Sequence, residues 1–436
     1  MTGTGYNPNH SASGGEHSET PVTRRGSVAE LFCGFGGLSL GLEQAGFDIS
    51  VGADVEPVNT ATHEYLFGYG KSLRLDLFEN QAKAIRNALP ANHDLDTLAL
   101  GRTPDAIVGG PPCQGVSQIG RRDPGDPRNR LMDSFINHGI ELGVSFMLME
   151  QVPSILQPQN AEHLDHMRET LHRAGYSLVD PKVLRAVDFG VPQRRERCFF
   201  LIHRNDRPAP EYPKPTHGAG EDFFLHPTPT VTDAFDALAE ASEYDELWDR
   251  DWAHTGILTP STRYGRLMAG LENDEGDLGY KRAWRRDRLT CSQLTRHEPQ
   301  SIARFEATAP GGSERISRRH RLDPNGQSLT LRAGSGADHG SFTAVVPIHP
   351  SGRRVITARE AARLHSIADW VQFSKTKIWA YRQIGNSVPP LLGRAVASSI
   401  IKAAGLAPAA PSDVMPLGDE KLLEVANPVF RKKIAA

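Results

Sequence analysis

Between Ser27 and Ile202, short apolar runs that stop at glycine or proline alternate with stretches of helical spacing. The runs occupy residues 28–33, 49–53, 106–108, 146–149 and 198–202, and the helical spacing shows at 38–45 and 58–66. Strands covered on both faces have continuous rather than alternating hydrophobicity, and parallel neighbours need a helical crossover. The pattern therefore predicts an α/β fold built on a doubly wound, mostly parallel sheet. After about Pro215 the alternation dissolves, and helical periodicity returns only at 358–364 and 391–404.

At 436 residues the chain has material for more than one core. The net charge of −3 gives no overall sign of a nucleic-acid binder, but the charge is segregated. Residues 221–251 hold ten acids against the single base Arg250, whereas residues 281–332 hold twelve bases against five acids. A clustered basic stretch is the footprint expected of a phosphate-binding surface. Residues 1–25, rich in Gly, Ser, Thr, Asn and His, are expected to form a disordered tail without the features of a secretion signal. The four cysteines, at 33, 113, 198 and 291, form no CxxC pair, suggest neither a zinc site nor a redox pair, and fit a reducing, intracellular compartment. No apolar run reaches membrane-spanning length. A soluble, cytoplasmic protein is expected.

Five segments carry chemistry. The run VAELFCGFGGLSLGLEQAG turns a strand into a helix through Gly34, Gly36 and Gly37, where glycine lets the backbone approach a ligand. Asp54, at the end of the next strand, is placed to accept hydrogen bonds from ribose hydroxyls. Ser39 stands where a dinucleotide fingerprint needs glycine, so this segment alone fits a plain strand-to-helix turn equally well. In DAIVGGPPCQGVSQIG, the prolines halt the strand and place Cys113 on a stiff loop at the carboxyl edge of the sheet, where such folds bind ligands. Gln114, Ser117, Arg121 and Arg122 make that loop polar, which argues against a buried structural thiol; the other three cysteines keep that bland reading.

SFMLMEQVPSI ends a strand in Glu150 at the same edge. In FGVPQRRERCFFLI, Arg195 and Arg197 are two apart, so an extended segment points them the same way. Finally, RQIGNSVPPLLGRAVA has the form of a Gly-Asn turn opening an apolar helix, preceded by Arg359 and Arg363 on one helix face.

FCGFGG, GGPPCQGVS, the glutamate of MEQVP, QRRER, REAAR and QIGNSVPP follow one another in the order and rough spacing of a known family. From Val28 to about Ala404 the chain resembles the C5-cytosine DNA methyltransferases of the bacterial modification type. The resemblance implies a Rossmann-like, S-adenosylmethionine-dependent methyltransferase domain at 26–215, completed by 385–405. It further implies a smaller, irregular target-recognition domain at 216–355, a hinge and return segment at 356–384, and a C-terminal tail at 406–436. The implied activity is transfer of a methyl group from S-adenosyl-L-methionine to C5 of a flipped-out cytosine in double-stranded DNA, within a restriction-modification system. A monomer without metal is expected.

By resemblance, Cys113 is the nucleophile that adds to C6, because C5 of cytosine is otherwise a poor nucleophile. Glu150 holds and protonates N3, and Arg195 and Arg197 fix the base and a neighbouring phosphate. Phe32, Gly34, Phe35, Gly37, Asp54, Val55, Asp76, Leu77, Pro112, Asn386 and Val388 are assigned to the cofactor. Gln114, Ser117, Arg128, Arg315, Arg318, Arg319, Arg321 and Thr330 are assigned to DNA.

Two departures stand out. Gln151 replaces the family's usual Asn after the catalytic Glu, and its extra methylene is expected to displace hydrogen bonds that order the cysteine loop. On that reading, Gln151→Asn leaves activity equal or higher. Ala368 stands where Pro is common. The alternatives are a tRNA cytosine-5 methyltransferase, which the long 216–355 region disfavours, and a catalytically impaired DNA-binding homologue, which the intact Cys113 and Glu150 disfavour. A nucleotide-dependent oxidoreductase is set aside because of Ser39 and the GGPPCQ loop.

Overall fold

A computed structural model of the chain describes residues 22–90, 103–112, 130–218, 225–238, 240–272, 274, 276–333 and 346–425. Cys113, Gln114, Ser117 and Arg128 lie outside the described residues. The chain begins with β1 (Gly26–Leu31), α1 (Gly37–Ala45), β2 (Phe47–Asp54), α2 (Pro57–Leu66), β3 (Lys71–Arg74), α3 (Ala82–Ala88) and β4 (Ala106–Gly109). It continues through α4 (Arg130–Leu142), β5 (Phe146–Gln151), α5 (Ala161–Arg173), β6 (Tyr176–Leu178), β7 (Lys182–Arg185), β8 (Gln193–Arg194) and β9 (Glu196–Arg204).

The main sheet has the order β3-β2-β1-β4-β5-β9-β6, with β7 also paired to β9. The first five strands run parallel, and β9 is antiparallel to β5, β6 and β7. This is the doubly wound sheet expected from the apolar runs. Its central strands are buried on both faces for a visible reason. Val28, Ile49, Val108, Leu148 and Leu201 pack towards α1 and the C-terminal helix, whereas Ala29, Val51, Ile107, Met147 and Ile202 pack towards α3, α4 and α5. Along β2 the register slips, Val28 facing Ile49 while Ala29 faces Val51. The extra residue, Ser50, is a bulge that moves Val51 and Ala53 to the opposite face from Phe47 and Ile49.

Beyond β9 the helices are α6 (Val231–Phe235), α7 (Arg263–Met268), α8 (Pro299–Ala307), α9 (Ala358–Leu364), α10 (Lys377–Asn386) and α11 (Pro390–Ala403). Between 216 and 333 the elements are short, and one local core there is formed by Ala241, Leu247, Ala253, Leu289 and Leu294. Part of this region lies on the main sheet's covering helix. The Leu278 N–H donates to Gln44 O, and the buried Arg282 pairs with Glu43 at 2.7 Å.

Two expectations need correction. Gly385 and Asn386 do not open the apolar helix; they end α10, and α11 starts at Pro390 after a short turn. Nor is the segment after residue 406 a loose tail throughout. Val414–Pro416 pairs in parallel with Lys281–Ala283, Gly418 N–H donates to Tyr65 O, and Leu423 is buried. Its apolar residues are too few to announce burial in the sequence, and the partner strand lies far away along the chain.

Helices α1 and α11 approach through glycine. A Cβ placed on Gly41 would stand 2.6 Å from both Arg394 N and Pro390 O, and one on Gly393 would meet Leu38 Cδ1 at 3.0 Å. Gly41→Ala should therefore destabilise the fold by about 1–3 kcal/mol, the usual cost of overpacking. Urea unfolding of the variant at matched pH checks this; an unchanged midpoint would mean the helices separate freely.

Candidate active site

The carboxyl ends of β1, β2, β4 and β5, with the start of β9, surround a cavity of about 600 Å³. Every residue assigned from sequence to the cofactor lines it: Phe32, Gly34, Phe35, Gly37, Asp54, Val55, Asp76, Leu77, Pro112, Asn386 and Val388. Three backbone positions after β1 adopt positive φ, namely Phe32 (57°), Gly34 (57°) and Gly36 (103°). The last is the cap of α1. Such conformations suit glycine, and at Phe32 they mark a strained corner held by its surroundings. A Cβ on Gly34 would meet nothing within 4 Å, so the glycine leaves open space in the cavity wall.

Asp54 braces this corner. One carboxylate oxygen accepts from Gly34 N–H at 2.9 Å, and the other accepts from Glu56 N–H at 2.8 Å and from the Asn59 amide at 3.3 Å. Burial raises its pKa, partly offset by those backbone N–H groups. Across the cavity, Asp76 is exposed and accepts from Phe78 N–H.

Glu150 forms an ion pair with Arg197, both side chains largely buried. The antiparallel register accounts for it: Gln151 faces Cys198, so Arg197 reaches Glu150 diagonally. Gly110 passes directly over this pair, since a Cβ there would stand 2.7 Å from a Glu150 carboxylate oxygen. Gln151 is buried, and its amide donates to Pro111 O at 2.7 Å. The longer side chain thus reaches the segment leading into Cys113 instead of displacing it. The expectation that Asn would serve as well or better loses its basis, because Asn is one methylene shorter.

Arg195 departs from the sequence reading. The strand is interrupted there, β8 ending at Arg194 and β9 starting at Glu196, so alternation does not carry through. Arg197 lines the cavity, but Arg195 is fully buried and donates to Leu331 O, Gly385 O and Ser387 O.

Residues 26–402 match the family described as C-5 cytosine-specific DNA methylase. The chain belongs to that family. Its relatives include the type II methyltransferase M.XorII of Xanthomonas oryzae pv. oryzae, 40% identical over 399 residues, covering 91% of this chain and 89% of that protein. Another is the type II methyltransferase M1.HphI of Haemophilus parahaemolyticus, 29% identical, covering 86% of each. Among solved structures, one described as a DNA modification methyltransferase encoded within an E. coli prophage matches with a TM-score of 0.66 at 27% identity. It covers 87% of this chain and 99% of that one.

In this DNA methylase the basic stretch divides in two. Arg321 donates to Glu306 O, Thr308 O and Pro350 O, and Arg319 donates to Val346 O. The expectation that all four arginines face DNA is corrected for these two: they tie irregular backbone together. Thr330 likewise donates to Arg194 O. Arg315 and Arg318 are exposed, and neither has a hydrogen bond or ion pair to another described residue. They flank Ile316 on a tight turn whose backbone N–H groups are held by the buried Glu314.

Arg359 and Arg363 do share a helix face, but it is buried. Arg363 forms a two-pronged pair with Asp369, and Arg359 donates to Ala368 O and Val371 O. Cys33, Cys198 and Cys291 are buried, and burial pushes all three thiols up, Cys198 to about 12. Among the described residues no group of three or more His, Cys, Asp or Glu is placed to hold a metal ion, and no helix is long and apolar enough to cross a membrane.

Sequence reasoning missed Glu56, Asn59, Phe78, Trp379 and Arg382 in the cavity wall, and above all Glu30. Its only signal was an acid inside an apolar strand. Glu30 is buried and accepts from the Ser39 hydroxyl; Ser39 Oγ lies 3.2 Å from His63 Nε2, and His63 Nδ1 lies 2.8 Å from Ser72 Oγ. Burial raises Glu30 from 4.5 to about 8 and lowers His63 from 6.5 to about 3.

Between pH 4.5 and 6.5 the folded protein keeps a proton on Glu30 that the unfolded chain has lost, and lacks one on His63 that the unfolded chain holds. There the two effects oppose each other. From pH 6.5 to about 8 only Glu30 acts, and stability falls as pH rises, by at most about 1.4 kcal/mol per unit. Urea titrations of the ligand-free protein across that window should show Glu30→Gln flattening the decline. A variant that keeps the wild-type slope would remove Glu30 as its source.

Proposed function

We propose that this C-5 cytosine-specific DNA methylase transfers a methyl group from S-adenosylmethionine to C5 of a flipped-out cytosine in a specific duplex sequence, through a Cys113–C6 adduct. One observation carries the reading. A single cavity gathers Asp54 and Asp76, the Glu150–Arg197 pair, and Pro112, the residue immediately before Cys113.

The cavity suits that cofactor. Its wall combines the acids Asp54, Glu56 and Asp76 with the apolar Phe32, Leu77 and Phe78, and Gly34 leaves room for a ligand against the backbone. Acids favour a molecule with cationic sulfonium and ammonium groups and accept from ribose hydroxyls; the apolar groups cover a purine. Asp54 and Asn386 would hold the nucleoside and Asp76 its amino edge. When bound, S-adenosylmethionine supplies an electrophilic methyl group.

The reaction of the base follows from the other residues. The Cys113 thiolate adds to C6, and the electron pair this releases into the ring makes C5 nucleophilic. Glu150 holds the ring at N3 and carries the proton that balances the addition. Arg197 orients Glu150 and faces the base. Gln151, through Pro111 O, sets the course of the backbone into Cys113. Once C5 is methylated, N3 returns its proton to Glu150, and loss of the C5 proton to water restores the double bond and expels the thiolate. A base inside a duplex is out of reach of such a cavity, so the cytosine leaves the stack. Its type II relatives support a place in a restriction-modification system.

Cys113→Ser should abolish methyl transfer while keeping cofactor affinity within a few-fold. Wild type should form a denaturant-resistant adduct with duplex DNA bearing 5-fluorocytosine, whose fluorine cannot leave as a proton. No adduct in the presence of cofactor would count decisively against the covalent route. The target sequence itself is obtained by methylating a random plasmid and reading it with bisulfite sequencing.

Arg315 and Arg318 are assigned to DNA on their exposure, and Arg321 to the fold. Removing a phosphate contact flattens the dependence of log K on log salt by about 0.9 per charge. Arg315→Ala and Arg318→Ala should each do so, or relax the recognised sequence, while Arg321→Ala should chiefly lower the unfolding temperature. Filter binding to specific and random duplexes at several salt concentrations separates these outcomes. Wild-type binding by both exposed-arginine variants would place the recognition surface elsewhere.

A further inference from the structure

At the far end of α2 from the active-site cavity, a second cavity of about 280 Å³ lies where three stretches of chain meet that helix. Tyr65 comes from the last turn of α2, Trp284 and Arg288 from the basic stretch, Trp370 and Gln372 from the segment after α9, and Glu420 from the C-terminal segment. The two cavities share no lining residue. The C-terminal segment is fastened in place as one of the walls. Val414–Pro416 pairs with Lys281–Ala283, Gly418 N–H donates to Tyr65 O at 2.8 Å, and Lys375 N–H donates to Leu423 O at 2.9 Å.

Two donors in this wall are unspent. The Arg288 side chain is only 16% exposed, yet its guanidinium donates no hydrogen bond to any other described residue. Its contacts are a face laid over Trp252 at 4.1 Å and an ion pair with Glu420 stretched to 3.9 Å. Arg282, Arg359 and Arg363, buried in the same region, each spend several donors on carbonyls or carboxylates. Tyr65 is also buried, and its oxygen accepts from the Gln372 amide at 2.8 Å. Its own hydroxyl proton meets no acceptor among the described residues. Buried donors are costly to leave unmade, and two lining one cavity call for a ligand with acceptors.

We propose that this second cavity binds a guanine base, carried by a free nucleotide or by an unpaired stretch of nucleic acid. Arg288 and Glu420 stand side by side, a fork of donors next to a pair of acceptors. Guanine matches both twice over: O6 and N7 accept from a guanidinium, while N1–H and the N2 amino group donate to a carboxylate. The other bases present one acceptor beside one donor and would leave each group half used. Tyr65 supplies a further donor, and Trp284 and Trp370 offer aromatic surface of the kind on which bases stack. A base held there touches α2, the basic stretch, the segment after α9 and Glu420 at once, and so clamps the C-terminal segment onto the domain.

The test is equilibrium dialysis of the full chain against GMP, with AMP, CMP and UMP as comparisons. Saturating S-adenosylhomocysteine is present throughout, to keep purines out of the active-site cavity. GMP should bind once per chain, about ten-fold tighter than the others or more. Arg288→Lys keeps the charge but loses the fork, and Glu420→Gln loses the acceptor pair; each should weaken GMP by about ten-fold and erase the preference. Glu420 is half exposed, so its variant folds even if Arg288→Lys does not. Amide hydrogen exchange across residues 414–424 should slow with GMP in wild type and stay unchanged in Glu420→Gln. A second arm compares thymidine oligonucleotides with and without one central guanine. Tighter capture of the guanine-bearing strand, lost in Glu420→Gln, supports the site with nucleic acid as its source even where GMP is too weak. Equal binding of all four nucleotides overturns the proposal, as does GMP binding that both variants keep. Absence of guanine-dependent binding in both arms overturns it as well.

Discussion

The close approach of α1 and α11 is the constraint on which the site depends. Gly41 and Gly393 remove the side chains that would hold the two helices apart. Because α11 sits against α1, the turn before it is pressed onto the start of α1, where a Cβ on Gly37 would meet Ser387 Cβ at 2.5 Å. That contact brings Asn386 and Val388, from the far end of the chain, into the wall formed by the loop after β1. The cavity is therefore closed by residues some 350 positions apart, and a separation of the helices would open it without touching any residue that lines it.

A second theme is how irregular backbone satisfies its carbonyls. Regular ladders are scarce between 216 and 373, yet buried carbonyls need donors. Arginine supplies them. Arg359 serves Thr290, Ala368 and Val371; Arg363 serves Ala234 and Asp236; Arg321 serves Glu306, Thr308 and Pro350. Each has several donors in a fixed fork, so one side chain can pin strands of backbone that share no ladder.

The sheet was legible because burial on both faces writes itself as continuous apolar runs, and β1, β2, β4, β5 and β9 all fall within a few residues of the runs at 28–33, 49–53, 106–108, 146–149 and 198–202. β3, an edge strand of sequence KSLR, carries no such signal. The cavity wall was legible because its residues follow directly on strand ends. What failed was the inference from residue type to partner. A guanidinium suits a phosphate and a carbonyl equally, so counting bases in 281–332 could not separate Arg315 from Arg321. Alternation likewise misplaced Arg195, since a break in pairing leaves no mark in composition. Glu30 escaped notice because an acid within an apolar strand has no meaning until its neighbours, Ser39 and His63, are known.

The arginine struts have a consequence for how such a protein can diversify. Their acceptors are mostly peptide carbonyls, which every amino acid possesses. The residue whose carbonyl is gripped can thus be exchanged without loss of the bond, provided the backbone path is kept. Glu306, Thr308 and Pro350 are held by Arg321 through groups that say nothing about their side chains. A surface framed this way can change what it presents to the outside, residue by residue, while a handful of arginines keep its shape.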